Sequence, residues 1–246
     1  SGGFLAPKKQ LRAVDGVDLS VRKGETLGVV GESGSGKSTL ARAVLKLLPE
    51  ATGAVTLLGR PLNEADKSAL RAARKDLQIV FQDPLASLDP RMTIGESIAE
   101  PLRVFRAELT RSQRESLAVE MMARVGLDPA LINRYPHELS GGQNQRVGIA
   151  RAMILKPALV ICDEAVSALD VSIRAQIVDL LIELQKSLGM AMIFISHDLA
   201  VVREVSHRVM VLYLGRVMEE APAEALYDHA RHPYTKALLS AGASSI

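Results

Sequence analysis

The chain has 246 residues, 48% of them hydrophobic, with 30 basic and 28 acidic side chains. This length allows one large α/β domain or two small ones, and the nearly balanced charge gives no reason to expect a nucleic-acid partner. No apolar run approaches the roughly 18 residues of a membrane span, so membrane association is expected to go through a partner. The lone cysteine, Cys162, lies in an apolar run, which predicts a buried side chain and a reducing compartment.

The first elements in chain order surround a glycine-rich loop. Alternating apolar residues predict a short strand at 13–21, the apolar run 25–30 predicts a buried strand, and a helical pattern starts at Leu40. Phe4 precedes these elements in a chain with only 3% aromatic residues. It is either an aromatic that stacks on a purine or a frayed terminal residue.

The loop between the strand and the helix matches the phosphate-binding pattern G-x-x-x-x-G-K-[ST] in full. Its glycines allow consecutive backbone N–H groups to face anionic oxygens, and the helix dipole adds partial positive charge. Lys37 is predicted to reach the terminal phosphates, and Ser38 to offer its hydroxyl to a magnesium ion. The predicted phosphate-binding residues are Gly31, Glu32, Ser33, Gly34, Ser35, Gly36, Lys37, Ser38 and Thr39.

The next stretch predicts a strand at 54–59, a short helix at 68–75 and a buried strand at 77–81. Gln82 follows that last strand at its carboxyl end, where open α/β sheets bind ligands, although an ordinary loop glutamine is an equal alternative. From Leu85 to about Leu139 only helical signals occur. Thr110 and Gln113 there form a predicted capping box, so this stretch is predicted to be a helical insertion.

Strands return in the second half of the chain, at 158–162 and at 190–195. A long helix that ends at Gly189 separates them, and strands alternating with helices predict a parallel sheet covered on both faces. A further strand is predicted at 208–214, and short helices from Pro222 onward.

Two of these strands end in residues suited to nucleotide chemistry. Asp163 can hold the magnesium ion that Ser38 also contacts, and Glu164 can polarise a water for attack on the terminal phosphate. The alternative is that this acidic pair caps the next helix. His197 follows the other strand, where its imidazole either contacts the terminal phosphate or plays a structural role.

A second glycine-rich element, residues 139–143, also precedes a helical segment. Ser140 is the predicted N-cap of that helix and a potential ligand. One phosphate tail needs only one such helix end. The second is therefore predicted to serve a nucleotide that another copy of the chain holds.

These residues resemble the ATP-binding subunit of ABC transporters over essentially the whole chain, and the sequence LSGGQ at 139–143 is the most diagnostic part. The resemblance implies a P-loop NTPase core with a mostly parallel sheet, an antiparallel β subdomain and a helical insertion. It divides one ABC ATPase domain into a first core segment 1–84, a helical subdomain 85–156, a second core segment 157–221 and a C-terminal helical extension 222–246.

The resemblance also implies a role for each motif residue. Glu164 becomes the catalytic base, and Lys37, Gln82 and His197 assist it. Magnesium is held by Ser38, Gln82 and Asp163. Besides the loop 31–39, ATP is contacted by Phe4 through its adenine and, across a head-to-tail dimer, by Ser140, Gly141, Gly142, Gln143 and Asp170. Two positions depart from the family pattern: Ala165 replaces a proline and Asn144 an arginine.

Finer motifs, including Tyr135-Pro136-His137-Glu138 and the sequence HPYTKALL at 232–239, resemble the dipeptide, oligopeptide and nickel importers. The implied function is ATP hydrolysis that powers solute import through transmembrane permease subunits, with peptides as the expected solute and a solute-binding protein involved indirectly. The second ATPase domain is an identical chain, a different one, or the other half of a fused protein. The implied location is the cytoplasmic face of the inner membrane.

Two other functions stay open on the sequence. One is an ABC ATPase of translation or DNA repair, but the tandem domains or long heptad insertion that these need are not seen in the sequence. The other is a module that senses nucleotide without hydrolysing it. Its signature would be loss of Glu164 or His197, and both residues are present.

Overall fold

The computed structural model describes residues 12–63 and 65–243, so Phe4 lies outside the described residues. The elements in chain order are β1 (Thr26–Val30), α1 (Lys37–Val44), β2 (Thr56–Leu57), β3 (Arg60–Pro61), α2 (Lys67–Ala73), β4 (Leu77–Val80), α3 (Pro84–Ser87), α4 (Ile94–Phe105), α5 (Arg111–Arg124), α6 (Gly141–Met153), β5 (Leu159–Asp163), α7 (Val171–Leu188), β6 (Ala191–Ile195), α8 (Leu199–Val205), β7 (Arg208–Tyr213), β8 (Arg216–Pro222), α9 (Ala223–His229) and α10 (Pro233–Ala243), with short 3₁₀ helices at Pro129–Asn133 and Pro136–Glu138.

The main sheet has six strands in the order β4-β5-β6-β1-β7-β8. The first five are parallel, and β8 joins the edge antiparallel to β7. A separate antiparallel pair is formed by β2 and β3. The predicted P-loop NTPase architecture with a mostly parallel sheet is thereby confirmed.

Side chains alternate between two buried clusters, one on each face of the parallel strands. On β1, Leu27 and Val29 lie in the cluster beneath α1, and Val30 lies in the larger cluster on the opposite face. On β5, Ile161 joins the first cluster and Cys162 the second. Burial raises the pKa of the Cys162 thiol to about 12, so this cysteine behaves as the buried apolar side chain that the sequence predicts.

The prediction of a strand at 13–21 is wrong. Its apolar residues are half-buried and pack against the cluster beneath α1, but the segment belongs to neither sheet. The alternating apolar residues therefore indicate that one side of the segment is buried, and not that the segment pairs with a strand.

The strand predicted at 54–59 is shorter in the structure, where only the two residues of β2 are in a strand. Leu58 and Gly59 both have positive φ values, 51° and 77°, and form the turn that leads into β3.

The helix ends predicted from the sequence agree better with the structure than these strands do. Thr110 and Gln113 form the predicted capping box at the start of α5, and Gly189 ends α7 in the left-handed conformation. None of the helices in the described ranges combines the length and the apolar character that crossing a bilayer requires.

Candidate nucleotide site

The predicted site residues follow four neighbouring strands of the sheet. The glycine-rich loop follows β1, Gln82 comes two residues after β4, Asp163 and Glu164 stand at the end of β5, and His197 comes two residues after β6. These strands are parallel and adjacent in the order β4-β5-β6-β1, so all four chain segments leave the sheet at the same edge.

The loop 31–36 depends on glycines at its two ends. Gly31 has a φ of 151°, and a Cβ atom there would lie 2.2 Å from the carbonyl oxygen of Leu212. Gly36 has a φ of 104°, and a Cβ there would lie 2.3 Å from the carbonyl oxygen of Ala13. Gly36 is also the N-cap of α1, where no side chain caps the helix. The first-turn N–H groups of α1 therefore have no side-chain partner at the cap, as a phosphate-binding helix end requires.

The Lys37 side chain makes two hydrogen bonds to the backbone of the loop. Its Nζ donates to the carbonyl oxygens of Gly31, at 2.7 Å, and of Glu32, at 2.9 Å. The side chain is buried, and this burial lowers the pKa of Lys37, while the carboxylates of Glu164 and Asp163 oppose the shift. A cation is thus placed beneath the loop and near two acids.

Ser38 and Asp163 meet although 125 residues separate them. The Ser38 hydroxyl donates to Asp163 Oδ1 at 2.8 Å. Burial raises the pKa of Asp163, the Ser38 hydrogen bond opposes that shift, and the nearby Glu164 adds to it. A hydroxyl and a carboxylate are oxygen donors of the kind that Mg²⁺ prefers, so this pair fits the predicted magnesium site.

Glu164 is held in a conformation that is uncommon for a residue with a side chain. Its φ is 51°, and its N–H donates to the carbonyl oxygen of Ile195 at 3.0 Å. Its Oε2 lies 3.6 Å from Nδ1 of His197, whose side chain is 60% exposed. The N-cap of α7 is Asp170, so Glu164 is not the cap of the next helix.

Gln82 is exposed, and the backbone on both sides of it is held by α6. Gln145 Nε2 donates to the carbonyl oxygen of Phe81 at 3.4 Å, and Arg151 Nη1 donates to that of Ser87 at 2.7 Å. The sequence reasoning missed both donors. The only sequence feature that could have pointed to Gln145 and Arg151 is their place on the helix that follows LSGGQ. Long-range contacts of this kind leave no local sequence pattern.

The second glycine-rich element is the capped start of α6. Ser140 Oγ accepts from Gln143 N at 3.2 Å, and Gln143 Oε1 accepts from Ser140 N at 2.9 Å. Ser140 and Gly141 are exposed. Among the hydrogen bonds of the described residues, none joins 139–143 to the loop 31–39.

Two further positions near these motifs have structural partners. Asn144 is buried and donates to the carbonyl oxygen of Pro136 at 2.9 Å, so it anchors the turn before α6. Asp170 is exposed, and one turn further Arg174 donates to Asp198 at 2.8 Å. The sequence analysis did not predict this ion pair. It connects the start of α7 to Asp198, the residue after His197.

Comparisons with known proteins show which proteins this chain is similar to. A family profile described as ABC transporter matches residues 14–167. The chain is 57% identical, over 97% of its length and 71% of the relative's, to the "Oligopeptide transport ATP-binding protein OppF" of Escherichia coli (strain K12). It is 52% identical to the "Probable peptide ABC transporter ATP-binding protein y4tS" of Sinorhizobium fredii, over 98% of its length and 68% of the relative's.

Among solved structures, the chain resembles the dimeric ATP-binding cassette MJ0796 in a post-hydrolysis state bound to ADP and Pi. The TM-score is 0.80 at 31% identity, covering 89% of this chain and 94% of that one.

Proposed function

The chain belongs to the ABC transporter family, and from this premise we propose that it hydrolyses ATP in a head-to-tail dimer and so powers peptide import through membrane subunits. Relatives that are 57% and 52% identical to it over the aligned residues are named as peptide transport ATP-binding proteins. These names favour transport over translation or DNA repair. The observation that carries the proposal is the contact of Ser38 with Asp163 directly beside Lys37 and Glu164.

In this proposal the loop 31–39 binds the phosphates of ATP. Its glycine backbone and the start of α1 supply N–H donors, and Lys37 supplies the positive charge. Ser38 and Asp163 hold Mg²⁺, and Gln82 is the third proposed ligand. When bound, magnesium neutralises charge on the transferred phosphoryl group.

Glu164 is the proposed general base, and His197 its partner. A water molecule attacking the terminal phosphate gives up a proton, which the Glu164 carboxylate can accept. His197, 3.6 Å from that carboxylate and largely exposed, can contact both Glu164 and the terminal phosphate.

The dimer completes the proposed site. Ser140, Gly141, Gly142 and Gln143 of one copy, with Asp170, would contact the nucleotide held by the loop 31–39 of the other. The support is that Ser140 is exposed at a helix N-terminus that makes no hydrogen bond to the loop of its own chain. A related cassette solved as a dimer bound to ADP and Pi supports the pairing of two such domains.

Coupling to permease subunits is proposed to run through Gln82–Arg91, at the cytoplasmic face of the membrane. Arg151 on α6 donates to Ser87 within this segment, and Gln145 on α6 donates to Phe81 just before it. A displacement of the segment by a membrane partner would therefore reach the start of α6.

The proposal is tested by Glu164→Gln, with Glu204→Gln on the exposed surface of α8 as control. We expect phosphate release to fall at least about 100-fold in the first variant and to stay at the wild-type rate in the second. Binding of a fluorescent ATP analogue should persist in both. Phosphate release near the wild-type rate in Glu164→Gln would contradict the role of this residue as base.

A further inference from the structure

The C-terminal helix α10 touches the phosphate-binding loop. The N–H of Glu32 donates to the Tyr234 hydroxyl oxygen at 3.5 Å, across 202 residues of sequence. The Tyr234 ring also packs on Tyr213, with 4.4 Å between ring centroids. Tyr213 ends β7, whose preceding residue Leu212 lies against Gly31. Two aromatic residues therefore stand where the loop begins.

The peptide group that Tyr234 contacts is also bound by Lys37. The unit joining Gly31 to Glu32 presents its N–H to Tyr234 and its carbonyl oxygen, on Gly31, to Lys37 Nζ at 2.7 Å. Because a peptide group is planar, a partner at the N–H end also restricts where the carbonyl end lies. Tyr234 and Lys37 thus hold opposite ends of one rigid unit.

Tyr234 has a fixed position because the start of α10 is anchored to the sheet. Glu219, on β8, accepts from the backbone N–H groups of Arg231, at 2.8 Å, and His232, at 3.0 Å. The N–H of Tyr234 in turn donates to His232 Nδ1 at 3.1 Å. The hydroxyl therefore reaches the loop from a support that does not depend on the loop itself.

We propose that Tyr234 is a positioning residue for the phosphate-binding loop, which orients the Gly31–Glu32 peptide and through it Lys37. The inference rests on the proposed function, because Lys37 is assigned there to the phosphates of ATP. Loss of the hydroxyl should loosen the loop and weaken nucleotide binding. The chemical step at Glu164 should be unaffected, since Tyr234 makes no hydrogen bond to Glu164 or His197 among the described residues.

The test compares Tyr234→Phe with Tyr213→Phe. Both substitutions keep the aromatic pair, but only the first removes the hydroxyl that contacts Glu32. For Tyr234→Phe we expect the Kd of a fluorescent ADP analogue and the KM for ATP to rise about threefold, with kcat and Tm unchanged. Tyr213→Phe should match the wild type in all four quantities.

Two results would overturn the inference. One is a Tyr234→Phe protein with wild-type Kd and KM. The other is an equal change in both variants, which would mean that the ring packing and not the hydroxyl matters. Because ADP affinity is measured directly, the test remains valid even if the wild-type chain releases no phosphate. That last result would count against the proposed function alone.

Discussion

The two glycine-containing helix starts of this chain, those of α1 and α6, are built in opposite ways. The start of α1 has Gly36 at its N-cap with a φ of 104° and no side-chain cap. The start of α6 has Ser140 at its N-cap in an ordinary extended conformation, and Gln143 completes a capping box with it. One end is shaped by backbone conformation and the other by side chains.

This difference explains why the two ends can have different tasks. The uncapped start of α1 leaves N–H groups for an anion and, with Lys37 and Ser38, forms the proposed phosphate site within one chain. The capping box of α6 already occupies the N–H of Gln143, so this donor has a partner without a ligand. In the proposed dimer, α6 offers the exposed Ser140 and Gly141 to the nucleotide held by the other copy.

The largest effect is expected from Gly36→Ala. The added Cβ would lie 2.3 Å from the Ala13 carbonyl oxygen, at a φ that alanine rarely adopts. We expect the free energy of unfolding to fall by about 3 kcal/mol, and nucleotide affinity to fall at least about 100-fold. Urea unfolding and binding of a fluorescent ADP analogue would measure both.

Gly141→Ala is the matched control on α6. Apart from its chain neighbours and the nearby backbone of α6, no atom of the described residues lies within 4 Å of a Cβ at this position, and its φ is not in the left-handed region. Stability and nucleotide affinity of the isolated chain should equal those of the wild type. Similar losses in the two variants would show that the two helix ends do not differ in the way described.

A smaller effect on stability is expected from Ser140→Ala. Loss of the cap should cost about 1 kcal/mol of unfolding free energy. ATP hydrolysis should fall at least about tenfold, because the partner's site loses a hydroxyl, while nucleotide affinity of the isolated chain stays unchanged.

Thr110→Ala is the control for Ser140→Ala, because Thr110 caps α5 through an equivalent capping box. It should lose a similar amount of stability and keep its hydrolysis rate. Equal hydrolysis rates in the two alanine variants would contradict the proposed contact of Ser140 with the partner's nucleotide.

The smallest effect is expected from Glu138→Gln, just before α6. The Tyr135 N–H, and then Arg134, hold the pKa of Glu138 below its ordinary value of 4.5. A lowered folded-state pKa means that this stabilisation is complete above about pH 4.5 and is lost as pH falls through the folded-state value. The Tm of the variant should be slightly lower than that of wild type near neutral pH, and the two should converge in acid. A difference that stays constant with pH would contradict this assignment.

Local motifs made part of the site predictable from the sequence. The loop 31–39, the N-cap Ser140 and the acidic end of β5 are each encoded within a few consecutive residues, so pattern and neighbouring element are read together. The roles assigned to these residues stay predictions, as do the three boundaries between the four predicted segments. Phe4 lies outside the described residues.

Contacts between distant elements were not predictable in this way. Gln145, Arg151 and Tyr234 reach backbone atoms on segments that are far away in sequence, and a single chain carries no pattern for such pairs. The strand β8 was missed for a different reason. It is an edge strand containing Glu219 and Glu220 and ending at Pro222, residue types that are depleted in strands.

The backbone of Glu164 has a consequence for the evolution and engineering of this chain. A φ of 51° costs a residue with a Cβ about 1 kcal/mol, whereas glycine or asparagine adopts it more easily. Selection for thermostability alone would therefore replace the carboxylate with one of these residues and remove the proposed general base. A sequence-optimisation protocol has to exempt this position, where folding and the proposed catalytic role favour different amino acids.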